Sequence, residues 1–239
     1  MISIIIRTKN EERWIGKCLQ SIGKQSEKDV EIVLVDSGST DLTLEKARQA
    51  WPDIRIVSIE NFLPGFAINE GIRASQGDYI AILSAHCIPA NEHWLAKLKQ
   101  GFSDQGIAGV YGRQVPVDYT SDQDKRDLLI TFGLDRRVQV KDSFFHNANS
   151  MIRREVWNRF PFDEKATNIE DRIWGRQVIS AQLKIVYEPE AVVFHHHGIH
   201  QSNIKQRMRN TVRLLDNMGL NKFPGDDPTD PHRFEICAV

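Results

Sequence analysis

The sequence predicts an α/β fold, a mostly parallel central sheet flanked by helices, as a single domain with a C-terminal helix and tail. Three observations carry this. Short β-branched apolar runs recur through the first half of the chain: residues 2–6 (ISIII), 31–35 (EIVLV), 54–59 (IRIVSI) and 79–83 (YIAIL). Segments of helical periodicity separate them. Three of the runs end in polar turns, RTKNE, DSGSTD and SAHCIP. Strands that alternate with helices in this way join through right-handed crossovers into a parallel sheet.

Each element has its own signal. Residues 2–7 form an apolar run suited to a strand buried on both faces. Residues 11–25 place Trp14, Ile15, Cys18, Leu19 and Ile22 at helical spacing. After the second strand, Asp41 stands as an N-cap for a helix that runs to Trp51-Pro52. A weaker helix over 65–76 stops near Gly77, and a helix over 91–102 gathers Trp94, Leu95 and Leu98 on one face. The second half is less regular. A strand is expected over 108–115, and residues 118–146 carry no clear pattern. A strand at 147–152 runs into a helix at 153–160, and Asn168 opens a helix over 169–182. An extended stretch follows at 184–194, then an amphipathic helix over 201–218 and a proline-containing tail. This divides the chain into 1–105, 106–200 and a C-terminal helix and tail, 201–239.

Composition narrows the function. The chain has 239 residues, 41% hydrophobic and 26% charged, which suits one large globular domain. A net charge of -1 supplies no basic field for nucleic acid. The three cysteines, Cys18, Cys87 and Cys237, are widely spaced and form no CxxC, so a reducing, cytoplasmic setting is expected. No run reaches the roughly 20 apolar residues that span a bilayer. Membrane contact is therefore expected to be peripheral, at the inner face.

In open parallel sheets, ligands bind beyond the carboxyl ends of the strands. Asp36 ends the second strand and opens DSGSTD, where a carboxylate suits a nucleobase or ribose, or simply caps the next helix. Acids at Glu170 and Asp171 open a helix, where the helix dipole alone favours them. The run His195-His196-His197 alternates faces, so His195 and His197 share one side. The basic residues Lys205, Arg207, Arg209 and Arg213 read as the solvated face of the C-terminal helix, with a clamp for phosphates or a seat on an anionic surface as the alternative.

The succession SIIIRTKNEE, EIVLVDSGSTD and FAINEGIRASQGDYIAILSAHC resembles the family 2 glycosyltransferases, which are inverting enzymes of the GT-A, Rossmann-like type. The likeness spans roughly residues 1–200 and is strongest over the first ninety. It implies that Thr8, Asn10 and Glu11 line a nucleotide pocket and that Asp36, with Ser39 nearby, contacts the base. It also implies that Asn69 supports the donor side and that Asp171 is the catalytic base, with Glu170 beside it. The family's Asp-x-Asp is replaced by Ser84-Ala85-His86, which is similar to the Asp-Ser-His-Cys of polypeptide N-acetylgalactosaminyltransferases. His86, His195 and His197 then become candidate ligands of a divalent cation, Mn2+ or Mg2+, or partners of a phosphate. The donor implied is a nucleotide-sugar, a UDP-sugar foremost and a CMP-sugar as the monophosphate case. The acceptor is a saccharide or a lipid-linked saccharide, in bacterial surface polysaccharide synthesis, and a homodimer is open. Two rivals stand beside this reading. A nucleotidyltransferase would want a glycine in the RTKNEE turn, and a non-catalytic nucleotide- or sugar-binding relative would not need Asp171.

Overall fold

The computed structural model describes residues 1–196 and 204–217. Met1–His200 form one compact unit and Gln201–Val239 a second. The first unit runs β1 (Ile2–Thr8), α1 (Ile15–Gly23), β2 (Val30–Asp36), α2 (Thr43–Ala50), β3 (Arg55–Ser58), α3 (Pro64–Arg73), β4 (Tyr79–Ser84), β5 (Cys87–Pro89) and α4 (Trp94–Gln100). It continues with β6 (Ile107–Pro116), α5 (Asp122–Thr131), β7 (Arg137–Gln139), β8 (Asn149–Arg153), α6 (Arg154–Arg159), α7 (Glu170–Ser180) and β9 (Lys184–His195). The second unit contributes α8 (Ile204–Asn217), which exposes Arg209, Val212 and Arg213.

The strands form one sheet in the order β3-β2-β1-β4-β8-β6-β9-β5, with β7 also on β9. β1 to β4 are mutually parallel. β8 then runs antiparallel between β4 and β6, and β6 and β9 are parallel again. Side chains alternate across the sheet. Ile2, Ile4 and Ile6 of β1 pack with Ile15, Leu19, Trp94 and Leu98 of α1 and α4. Ile5 packs on the other face with Ala67, Ile68 and Ile72 of α3 and with Trp174 and Val178 of α7. A strand covered on both faces is therefore apolar throughout, which is why its sequence shows no alternation.

Several boundaries move for local reasons. α1 starts at Ile15, because Glu11 O accepts from both Trp14 N and Ile15 N and spends the preceding residues in a turn. Asp41 is not the N-cap of α2. The helix starts at Thr43, whose N and Oγ1 both donate to Asp41 Oδ1, while Asp41 Oδ2 accepts from Glu12 N. Residues 118–146 resolve into α5, capped by Ser121 Oγ accepting from Asp124 N at 3.2 Å, and the edge strand β7. Among the described residues no helix is long and apolar enough to cross a membrane.

One irregularity positions the site. The β6–β9 register jumps from Gly112 opposite Glu188 to Gln114 opposite Val193. The jump takes Arg113 O and Ala191 O out of the ladder. The Asn149 amide Nδ2 donates to both, at 3.0 and 2.9 Å, and its Oδ1 accepts from Trp94 Nε1 at 2.7 Å. Gly112 is required here, since a Cβ would lie 2.1 Å from Ala191 O.

Candidate functional site

The strand order reverses direction at β1, with β2 and β3 on one side and β4 on the other. At the carboxyl ends of these strands lies a cavity of about 420 Å3, lined by Arg7, Thr8, Lys9, Glu11, Ser37, Phe62, Ser84 and His86. That volume and place fit a small-molecule site. Thr8 Oγ1, Ser37 Oγ and Arg7 Nε are buried in its walls with no hydrogen-bond partner. A buried polar atom left unsatisfied costs about 1–3 kcal/mol, so these three atoms make the wall of the cavity suited to polar atoms of complementary character.

The loops around the cavity hold one another. Asn10 sits in the left-handed region at φ 54°, accepts from Thr40 N at 2.8 Å through Oδ1, and donates its own N–H to Ser39 Oγ at 2.9 Å. Glu11 N donates to Thr43 Oγ1 at 2.7 Å. Asp36 is 3% exposed, and its carboxylate accepts from Gly38 N, Ser39 N and Ser39 Oγ. Its bonds go to building its own turn, and Ser37 beside it turns to the cavity. Asn69 departs from expectation. It is fully buried, accepts from Trp157 Nε1 and Phe162 N, and donates to Phe162 O and Glu164 Oε1. All four of its hydrogen-bond positions are used to clamp α3 to residues 157–164, so it is a structural amide and not part of the cavity wall.

His86 and His195 come together, with ring centroids 5.1 Å apart and planes inclined by 16°. His86 Nδ1 lies 2.8 Å from Glu11 Oε1, and His195 Nδ1 lies 2.6 Å from Gln114 Oε1. Each ring is thus anchored through Nδ1, an arrangement typical of imidazoles that ligate through Nε2. Among the described residues no group of three or more His, Cys, Asp and Glu forms a protein-only cage. The pair fits the protein's share of a cation whose other ligands are phosphate oxygens and water. His197 lies outside the described residues. His196 packs instead on Trp14 and Tyr119, at 5.5 and 5.0 Å. Cys87 is fully buried, and burial pushes its thiol well above the ordinary value, so it supplies no thiolate.

The acid pair at the start of α7 lies next to this cavity. Glu170 Oε1 accepts from Arg7 Nη1 at 3.1 Å and from Asn147 Nδ2 at 3.2 Å. Asp171 accepts from Asn147 N through Oδ2 at 3.3 Å and from Arg172 N through Oδ1 at 2.8 Å. Burial raises the pKa of both, and the neighbouring Asp171 charge raises Glu170 further. Ile169, in the left-handed region at φ 54°, turns the chain into the helix, and Asn168 Oδ1 accepts its N–H. Trp174 does not face the cavity; it is fully buried against Phe145 and Phe162. Gly175 lets α7 sit on residues 143–147, where a Cβ would lie 2.1 Å from Ser143 O.

Arg7, Gln114 and Asn147 were not singled out by the sequence. Arg7 has a signal, a cation closing an otherwise apolar strand. The two amides have none.

The model for "Glycosyl transferase family 2" matches residues 3–160. The O-antigen chain rhamnosyltransferase WbaN of Salmonella anatum is 26% identical over 209 residues, covering 82% of this chain and 66% of that protein. The putative glycosyltransferase EpsH of Bacillus subtilis is 32% identical over 224 residues, covering 86% and 63%. Among solved structures, a mannosyltransferase from Pyrobaculum calidifontis in complex with GDP-Man and Mn2+ superposes with a TM-score of 0.68 at 19% identity, covering 93% of this chain and 65% of that one. TarS residues 1–349 of S. aureus superposes at 0.69 and 17% identity, covering 93% and 66%. The chain therefore spans just under two thirds of each of these relatives. The fold is that of the GT-A glycosyltransferases, and with the family model matching most of its length the chain belongs to glycosyl transferase family 2.

Proposed function

We propose that this chain transfers a sugar, with inversion, from a nucleotide-sugar to a hydroxyl of a saccharide or lipid-linked acceptor in bacterial surface polysaccharide synthesis. The observation that carries the reading is one cavity, at the point where strand order reverses, walled by three orphaned polar atoms and adjoined by an acid pair of a buried Glu170 and a half-buried Asp171. The O-antigen chain rhamnosyltransferase among its relatives supports the setting.

Thr8 and Ser37 hydroxyls and the Arg7 guanidinium bind the nucleotide portion, with Lys9 adding positive charge at the mouth. Ser84 and His86 lie under the phosphates. A divalent cation held by His86 and His195 would neutralise charge on the departing diphosphate, and imidazole ligands suit Mn2+ better than Mg2+. Asp171 takes the proton of the acceptor hydroxyl as its oxygen attacks the anomeric carbon. The bond from that carbon to the phosphate oxygen breaks, and the nucleotide leaves with the electron pair. A carboxylate whose pKa burial has raised is a stronger base for this step. The backbone N–H groups of Asn147 and Arg172 fix its two oxygens. Glu170, paired to Arg7, links base and donor wall.

The test is calorimetric titration with UDP, GDP and CMP, each with Mn2+ and with EDTA, followed by donor turnover. Binding of one nucleoside diphosphate with Mn2+, and turnover lost in Asp171→Asn, is the expected result. Preference for CMP without a cation would make the donor a CMP-sugar. A folded protein that binds none of the three overturns the reading.

A further inference from the structure

We infer that Gln114 is a positioning residue whose buried amide, oriented by His146, sets the tautomer of His195, so that His195 carries its lone pair on Nε2. The inference deepens the proposed role of His195. Its test reads protons directly, so it stands or fails apart from the transfer reaction.

The assignment starts from the backbone. Ala148 N–H points at His146 Nδ1, 3.3 Å away. A backbone amide only donates, so this nitrogen is an acceptor and the His146 proton sits on Nε2. The Gln114 side chain reaches the same Nδ1 at 3.1 Å through Nε2. Facing an acceptor, that end of the amide must be the NH2. The reverse orientation would set a carbonyl oxygen against a lone pair. The carbonyl end is then the one that lies 2.6 Å from His195 Nδ1. Facing an acceptor in turn, His195 Nδ1 carries the proton and its Nε2 carries the lone pair.

The fold delivers this geometry. Gln114 is opposite Val193 and His195 is opposite Pro116, so the two side chains are diagonal neighbours on one face of the β6–β9 pair. Gln114 is 1% exposed and His195 is 4% exposed, so water does not compete for the bond. A lone pair at His195 Nε2 repels a bare phosphate oxygen. It accepts instead from a cation or a hydroxyl. With His86 anchored on Glu11 and 5.1 Å away, a divalent cation is the ligand class that two such rings take together.

The experiment is 1H–15N multiple-bond correlation of the full chain labelled with 15N-histidine, at about pH 8, well above the ordinary histidine pKa of about 6.5. Signals are assigned from His195→Gln and His146→Gln. The expected spectrum has His195 protonated on Nδ1 and His146 on Nε2. In Gln114→Leu His195 reverts to a mixed population while His146, still held by the Ala148 N–H, keeps its proton on Nε2, and affinity for Mn2+ alone, read by calorimetry, falls roughly 10–100-fold. Gln114→Glu guards against a misfolded leucine variant. Its carboxylate still accepts from His195, so His195 keeps its proton on Nδ1 in this variant. His195 protonated on Nε2 in the unaltered chain, or unmoved by Gln114→Leu, overturns the inference. So does Mn2+ affinity that is unchanged while the His195 tautomer shifts. Correct tautomers in a protein that transfers no sugar would sink the proposed function and leave this inference standing.

Discussion

Replacing Arg7 with methionine probes the link between the donor wall and the acid pair. The Arg7 and Glu170 side chains are 15% and 7% exposed, with Nη1 3.1 Å from Oε1. At an effective dielectric of about 20, the Coulomb attraction is 332/(20 × 3.1), or about 5 kcal/mol. Desolvation offsets much of that while both partners are present. Removing one leaves the other buried and unpaired, which costs about 3–5 kcal/mol. For a chain of this length, where each kcal/mol moves Tm by roughly 2–4 °C, a loss of about 3 kcal/mol lowers Tm by roughly 6–12 °C. The effect also has a signed pH dependence. Burial, then the Asp171 charge, already hold the Glu170 pKa above the ordinary value, and Arg7 is the largest charge opposing them. Without Arg7 it rises further. A carboxyl whose folded pKa lies above its unfolded one binds more protons when folded, so stability falls as pH rises through that window. The Arg7→Met deficit is therefore greatest near pH 8 and shrinks toward about pH 5, close to the unfolded glutamate value of about 4.3. Glu170→Gln in the same background removes the stranded charge and recovers stability. Urea unfolding of the four proteins of this cycle at both pH values is the assay. A deficit under about 1 kcal/mol, or one that ignores pH and is additive with Glu170→Gln, refutes the reasoning.

Asp171→Asn should lower kcat by about 10²–10⁴ while nucleotide affinity is kept. The kcat of the unaltered chain should rise with pH through a limb above the ordinary aspartate value of about 3.9, because burial raises this carboxyl and only its ionised form accepts a proton. A limb at or below that value removes Asp171 as the base. Asn69→Leu strands the Trp157 and Phe162 donors and should cost about 2–4 kcal/mol in urea unfolding, with nucleotide affinity of the folded fraction unchanged. Selective loss of nucleotide binding would return Asn69 to the donor site. Gly175→Ala forces α7 off Ser143 O and should destabilise by about 1–3 kcal/mol and reduce kcat more than nucleotide affinity. A variant with unaltered stability and turnover would mean that this contact does not hold the base.

The parallel half of the fold was readable because its strands are buried on both faces and therefore announce themselves as unbroken apolar runs. Helices on either side carry stripes such as Ile15, Cys18, Leu19 and Ile22. α5 was not readable, since only Leu128 of its ten residues is buried and a helix so exposed has no apolar stripe. β7 is three residues long and has no period to detect. In the site, the strand-end turns and the Glu170-Asp171 pair stood out because acids and hydroxyls at strand or helix ends are local features. Asn69 misled because its position between motifs matched a donor-side role, whereas its partners, Trp157 and Phe162, lie about ninety residues away in sequence. Gln114 and Asn147 were silent for the same reason. An amide's function is fixed by what lies across the sheet from it, and one-dimensional spacing carries none of that.

The register jump in β6–β9 constrains how this region can change over generations. Gly112 leaves room for Ala191 O, Asn149 satisfies the two carbonyls that the jump strands, and the new phase aims Gln114 at His195. A larger residue at 112 closes the gap that the Asn149 amide needs, 2.4 Å from where its Cβ would stand. A shift back into register would carry β9 along by an odd number of residues and turn His195 to the opposite face, away from Gln114. Drift at Gly112 therefore meets a penalty set by Asn149 and Ala191 O. Gly112 and Asn149 should be inherited or lost as a pair, and a library that varies them singly will recover fewer folded members than one that varies them together.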